Sequence, residues 1–220
     1  MKPWELCDDV PWVPPLFADE NGLVGVGGTL EPSCLLRAYS EGIFPWYSVG
    51  DPILWWSPNP RAIFDLQVGL NISRRLARTI RSGKFQITFN RCFSTVMRCC
   101  GDRVEGTWIT EEMLHAYERL HYLGYAHSVE TWEGEELAGG LYGVAIGGLF
   151  AAESMFYRRT DGSKVAMAAL FEHLRQRGFT LVDTQMLTEH TERMGAFTVP
   201  RPEYLTRLRL AVAKEDTSFI

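Results

Sequence analysis

The sequence predicts a mixed α/β (α+β) domain on a largely antiparallel sheet, preceded by a small proline- and tryptophan-rich region. Three observations predict it. Helical and strand-like periods alternate after about residue 62. Between Ala126 and Tyr157, three strand-like runs are joined only by the Glu133-Gly134-Glu135 and Gly147-Gly148 turns, the pattern of an antiparallel meander. The region through Arg61 carries Pro11, Pro14, Pro15, Pro32, Pro45, Pro52, Pro58 and Pro60, which confine it to short elements. The expected division is therefore residues 1–62 and 63–220.

Element by element, Pro32 opens a helix that reaches Glu41, with Gly42 just past its end. The following stretch, GIFPWYSVGDPILWWSPNPRA, reads as an ordered loop packed by its own rings. From Asn71 to Ser82, Ile72, Leu76 and Ile80 recur every four residues with Arg74, Arg78 and Arg81 opposite them, an amphipathic helix with a basic stripe. Thr110, followed by Glu111 and Glu112, starts a helix that Gly124 ends. After the meander, Ser163 caps a helix running to Gly178, FTLVD is a buried strand, and Pro202 to Lys214 is a last helix.

With 220 residues, 46% apolar and 22% charged, the chain can bury a core unaided, and disorder is excluded as an account of any long stretch. No run of eighteen apolar residues occurs, and the first thirty residues carry acids and prolines, so neither a membrane span nor a secretory leader is expected. Five cysteines (Cys7, Cys34, Cys92, Cys99 and Cys100) without paired CxxC spacing predict a reduced, cytoplasmic setting. The net charge of −5 argues against a generally cationic surface. Yet between Asp65 and Asp102 there is no acid, while Arg74, Arg75, Arg78, Arg81 and Lys84 fall there, which predicts one polyanionic partner docked in one place.

Gly25 to Gly28, GVGG, lacks the third glycine of a dinucleotide fingerprint, and neither GxxxxGK[ST] nor GxSxG occurs. His115, His121, His127, His173 and His190 are not spaced as a metal set, and no metal is expected. Arg159 to Lys164, RTDGSK, half matches the loop with which N-acetyltransferases wrap the coenzyme A pyrophosphate; it is either an anion site at a helix start or a plain serine cap. Asp183 and Gln185, two apart at the carboxyl end of a strand, project to one face as a site, or Asp183 simply caps the next helix. Glu153, in an otherwise apolar strand, is either paired structurally or poised for a ligand amine.

Gly42-Ile-Phe-Pro-Trp46, Pro52-Ile-Leu-Trp-Trp-Ser-Pro58 with Pro60-Arg61, Glu105-Gly-Thr-Trp-Ile-Thr110, His127-Ser-Val-Glu130, Glu153-Ser-Met-Phe156 and Asp183-Thr-Gln185 together resemble the bacterial leucyl/phenylalanyl-tRNA–protein transferase family, from about Pro11 to Leu210. The resemblance implies an enzyme that moves Leu or Phe, and less well Met, from aminoacyl-tRNA onto the α-amine of proteins beginning with Arg or Lys, for degradation by an N-end rule. It implies a C-terminal N-acetyltransferase-like domain, no coenzyme A or other cofactor, a monomer, and a tRNA acceptor stem on the basic stripe. By the same resemblance Asp183 and Gln185 are the catalytic pair; Trp46, Trp108, Leu141, Phe150 and Leu170 form the donor pocket, with Phe150 and the two tryptophans also near the terminal adenosine; and Tyr39, Tyr117 and Glu153 orient substrate. Leu141 and Leu170 replace an expected Met and Phe, and Thr188 an expected Asn at the adenosine.

The implied chemistry is aminolysis of an ester. An α-amine with a pKa near 8 is partly neutral at cellular pH, so no strong base is required. Gln185 serves by accepting a hydrogen bond from the attacking amine, and Asp183 by fixing Gln185 through its amide N–H. A coenzyme A-dependent acetyltransferase and a non-catalytic RNA-binding module are the rival classes.

Overall fold

The computed structural model describes residues 11–103 and 106–220. Cys7 and Glu105, named above, lie outside the described residues. In chain order the elements are a 3-10 turn (Pro15–Phe17), β1 (Leu23–Val26), α1 (Pro32–Ser40), β2 (Phe44–Pro45), β3 (Leu54–Trp56), β4 (Arg61–Phe64), α2 (Arg74–Arg81), β5 (Gln86–Phe89), α3 (Phe93–Gly101), α4 (Glu111–Tyr122), β6 (Ala126–Glu133), β7 (Glu136–Ile146), β8 (Leu149–Tyr157), α5 (Gly162–Gln176), β9 (Leu181–Asp183), α6 (Glu189–Arg193), β10 (Phe197–Val199) and α7 (Arg201–Val212).

The described residues form a mixed α/β arrangement with two sheets. A three-stranded sheet runs β1-β3-β2, and a seven-stranded sheet runs β10-β4-β9-β8-β7-β6-β5. In the large sheet β8 and β9 pair parallel and the other neighbours antiparallel. The meander expected from the two glycine turns is β6-β7-β8. The aromatic stretch after Gly42 departs from expectation, since Trp55 and Trp56 pair with strands on both sides. Pro52 and Pro58 flank β3 without entering it, and Pro45 sits in the edge strand β2, where a missing N–H is tolerated.

Both faces of the large sheet are covered, so β7 is buried from Leu137 to Ile146 and its alternate residues enter different cores. Tyr142, Val144 and Ile146 pack with residues of α1, α3 and α4. Leu141 and Ala145 pack on the other side, with α5 and Phe219. Leaving water, a large apolar side chain contributes roughly 1.5–3 kcal/mol, and this two-sided burial is the main source of stability. A third cluster joins α7 to β4, β8 and β9 through Ile63, Leu149, Leu181 and Tyr204.

Helix boundaries follow their caps. Ser73 accepts from the Leu76 N–H, so α2 begins at Arg74 and leaves Ile72 outside it. Thr110 accepts from the Met113 N–H, as expected. The α5 helix starts one residue before Ser163, with Asp161 left-handed at φ +71° in front of it. Cys92, Cys99 and Cys100 are free thiols. Cys34 is disulfide-bonded, a departure from the wholly reduced set expected, because unpaired spacing carries no pairing signal.

Candidate active site

The site opens where two strands part. The parallel pairing of β8 with β9 ends at Ala151 opposite Asp183. Beyond it, β8 continues to Tyr157 while the chain leaves β9. On the other side of β8, Gly143 pairs with Ala152 and Tyr142 with Ser154, so Glu153 is an inserted residue, a bulge that re-aims its side chain. A cavity of about 450 Å³ fills the gap, with Trp46, Trp108, Leu141, Met155 and Met167 as apolar wall and Glu153 and Gln185 among its polar groups.

Gln185 is held at three points. Its carbonyl accepts from the Ala62 N–H of β4 at 3.1 Å, and its own N–H donates to Asp183 Oδ1 at 2.9 Å. Its side-chain Nε2 donates to Glu153 Oε1 at 3.0 Å. The residue is left-handed, with φ +56°. That conformation overturns the expectation that Asp183 and Gln185 share a face: alternation holds only in extended backbone, and the strand ends at Asp183. Asp183 is 1% exposed and turns away from the cavity. Arg61 Nε and one terminal nitrogen donate to its two oxygens at 2.8 and 2.6 Å, and the Tyr204 hydroxyl donates at 2.8 Å. The N–H that Asp183 receives from Gln185 is therefore the backbone one; the side-chain amide goes to Glu153.

Behind Glu153, the hydroxyls of Tyr39 and Tyr117 share a short hydrogen bond and both reach its carboxyl group. Burial pushes the Glu153 pKa up to about 8, helped by the Asp183 charge and opposed by the tyrosine hydrogen bonds and by Arg61. Burial and the nearby Glu153 also hold both tyrosines well above their ordinary range, so they remain proton donors. At the opposite margin, Thr188 caps α6 through Thr191, and burial together with Lys164 and Arg193 lowers the His190 pKa.

A carboxyl group and an amide meeting beneath an apolar cavity can hydrogen-bond a polar group beside an apolar one, and similarity to known proteins fixes the family. A family model described as leucyl/phenylalanyl-tRNA protein transferase matches residues 63–209, and the model for the N-terminal domain of that protein matches residues 28–59. The chain belongs to this transferase family. A leucyl/phenylalanyl-tRNA–protein transferase of Magnetococcus marinus is 52% identical over 204 residues, covering 90% of this chain and 86% of the relative. One from an Anaeromyxobacter species is 50% identical over 216 residues, covering 96% and 92%. Among solved structures, L-PGS from Bacillus licheniformis aligns with a TM-score of 0.41 and 14% identity, over 72% of this chain and 52% of that one.

In this member of the leucyl/phenylalanyl-tRNA–protein transferase family, Trp46, Trp108, Leu141, Glu153, Gln185 and Thr188 come together at the cavity, with Tyr39 and Tyr117 immediately behind. Phe150 and Leu170, expected in the pocket wall, do not line it. Both are 0% exposed in the core between the sheet and α5, where Phe150 stacks on Phe219 at 5.6 Å. Leu170 follows Met167 by three residues along α5, so Met167 meets the cavity from the same helix.

The basic residues are grouped as expected. Arg74, Arg75, Arg78 and Arg81 are exposed on α2, and Lys84 follows it. Only Leu76 of the helix is buried; Ile80 remains 37% exposed. Arg75 pairs with Asp161 at 3.1 Å, and Lys84 lies 3.7 Å from Glu133. The α2 helix packs on α5, the helix that brings Met167 to the cavity.

The phosphate-loop expectation for Arg159 to Lys164 meets a closed site. The Arg158 and Arg159 N–H groups both donate to Ala138 O, and a Cβ on Gly162 would lie 2.6 Å from that same oxygen. Arg159 is paired with Glu136, and the Asp161 carboxylate sits at the helix start. The Ala138 backbone therefore packs against this loop and takes up two of its N–H groups. Among the described residues no cluster of three or more His, Cys, Asp or Glu could hold a metal, and no helix is long and apolar enough to cross a membrane. Sequence reasoning assigned no role to Arg61, Tyr204, Met155 or Met167. Arg61 stood in a quoted motif, and its signal was an arginine heading the wholly buried run of β4.

Proposed function

We infer that the protein transfers Leu or Phe, and less well Met, from aminoacyl-tRNA to the N-terminal α-amine of proteins beginning with Arg or Lys, as a cytoplasmic monomer feeding an N-end-rule degradation route. The observation that carries this reading is the apolar cavity ending on Gln185 and Glu153. A Leu or Phe side chain offers area and shape, which Trp46, Trp108, Leu141 and Met167 match. Such a wall separates donors differing by one methylene by only about 1–3 kcal/mol, which leaves Met a poorer but usable donor.

The attack is aminolysis. With Nε2 committed to Glu153, the Gln185 side-chain oxygen is left to accept from the attacking amine. Proximity supplies most of the acceleration, on the order of 7–11 kcal/mol in favourable cases. The tRNA acceptor stem lies along α2 and reaches the cavity past α5, with Thr188 beside the terminal adenosine. The closed loop at Gly162 speaks against coenzyme A, although the sheet splayed at β8 and β9 suits an N-acetyltransferase-like domain over residues 63–220, with residues 1–62 as a small N-terminal domain.

Incubation with radiolabelled Leu-tRNA and a peptide starting with Arg tests the reading. Label is expected in the peptide, and in far smaller amount when the peptide starts with Asp or is N-acetylated. Acetyl transfer from coenzyme A instead, or RNA binding with no transfer, refutes it.

A further inference from the structure

We propose that Arg61 is a positioning residue for the transfer reaction: it saturates the Asp183 carboxylate, so that Asp183 sets the backbone of Gln185 and acts neither as a base nor on substrate. The proposal rests on the reading of Gln185 as the acceptor for the attacking amine.

An ionised carboxylate offers about four acceptor sites. On Asp183 all four are used: Oδ1 takes Arg61 Nε at 2.8 Å and the Gln185 N–H at 2.9 Å, and Oδ2 takes the second guanidinium nitrogen at 2.6 Å and the Tyr204 hydroxyl at 2.8 Å. No site is left for a substrate proton, and both partners of the ion pair are 1% exposed. The guanidinium is fixed as firmly as the carboxylate. Its remaining terminal nitrogen donates to Gly42 O at 3.1 Å, and its carbon lies 4.9 Å from the Phe44 ring centre and 4.6 Å from that of Tyr204.

Two consequences reach the cavity through Arg61. Through Asp183 it holds the Gln185 N–H, and with it a left-handed conformation that a non-glycine residue adopts only when its surroundings impose it. Through Gly42 and Phe44 it fixes the start of the segment that continues to Trp46 in the cavity wall. One buried side chain thus sets the distance between the amide that receives the amine and the wall that receives the donor. Lysine cannot replace it, because a point charge cannot span two carboxylate oxygens and a carbonyl at once.

The test measures kcat and KM for Leu-tRNA and for an Arg-starting peptide in Arg61→Lys, Tyr204→Phe, Asp183→Asn and Gln185→Ala, with tRNA affinity and thermal unfolding alongside. Arg61→Lys is expected to lower kcat at least 30-fold with both KM values and tRNA affinity within threefold. Tyr204→Phe, which empties one site on the carboxylate and keeps the fold, lowers kcat three- to tenfold. The acid limb of the kcat pH profile keeps its midpoint in Asp183→Asn, since no proton passes through that group. Wild-type kcat in both folded Arg61→Lys and Tyr204→Phe overturns the proposal, as does an acid limb that vanishes in Asp183→Asn. Should Arg61→Lys fail to fold, Tyr204→Phe and the pH profile decide. Wild-type turnover in Gln185→Ala instead overturns the reading beneath it, and that result is distinct because it leaves the Arg61 variants impaired without Gln185 as the cause.

Discussion

Glu153 keeps its proton to about pH 8 because burial outweighs the hydrogen bonds from Tyr39 and Tyr117, so at neutral pH the group facing Gln185 is more often an acid than a carboxylate. The sign of the linked stability follows. The native state holds a proton that the unfolded chain, titrating near 4.5, has already lost, and stability falls as pH rises between those values. In Glu153→Gln this loss is absent, so the difference in melting temperature between pH 5 and pH 8 should shrink relative to wild type. Parallel melting curves across that range would show Glu153 to be an ordinary carboxylate. The sequence identified Glu153 by the oddity of an acid in LFAAESMF, and Asp183 and Gln185 by their position after a buried strand. It hid their orientation, because a bulge at 153 and a left-handed residue at 185 both break the alternation from which facing is read.

The α2 helix shows how a periodic pattern overstates burial. Ile72, Leu76 and Ile80 predict an apolar stripe, yet the Ser73 cap starts the helix only after Ile72, and only Leu76 reaches the cluster with Phe85, Ala138 and Val165. An eight-residue helix with so little apolar surface rests on α5 through Leu76, with Arg75 paired to Asp161 and with Arg74, Arg78 and Arg81 left to solvent or a partner. Charge reversal at Arg74, Arg78 and Arg81 together should weaken tRNA binding and flatten its salt dependence, by about 0.9 in log–log slope for each duplex phosphate that is no longer neutralised. Puromycin-like donors without the acceptor stem should be spared. An unchanged slope in filter binding between low and moderate salt would make the stripe a solvated face. The short strands β4, β5, β9 and β10, of three or four residues each, were the least legible elements apart from FTLVD. A run that short cannot display a period, and tertiary pairing decides it.

Across the whole molecule, the mixed architecture and the meander could be read from glycine turns and alternating periods, whereas which apolar residues line a cavity could not. Leu170 and Leu141 look alike in the sequence and share one core cluster with Phe64, Phe171 and Val182, yet only Leu141 also borders open volume. Leu170→Phe is therefore expected to act through the core. Added volume in a closed site costs roughly 1–3 kcal/mol, measurable by urea unfolding, while the Leu-tRNA to Phe-tRNA preference changes less than twofold. A preference shifted toward Leu at unchanged stability would return residue 170 to the cavity wall.

The pairing of Arg61 with Asp183 joins residues 122 apart, and β4 enters the large sheet between β9 and β10. A contact of that span forms only after a long loop has closed, at an entropic cost that nearer contacts such as those of the meander avoid. During refolding from denaturant, the meander can therefore arise early, and competence for transfer should lag behind it. Recovery of far-ultraviolet circular dichroism ahead of recovered transfer in the same stopped-flow and quench series is the expected order. Coincident recovery would mean that β4 and β9 meet as early as the hairpins, and a newly made molecule would then carry its chemistry from the first moment that it is compact.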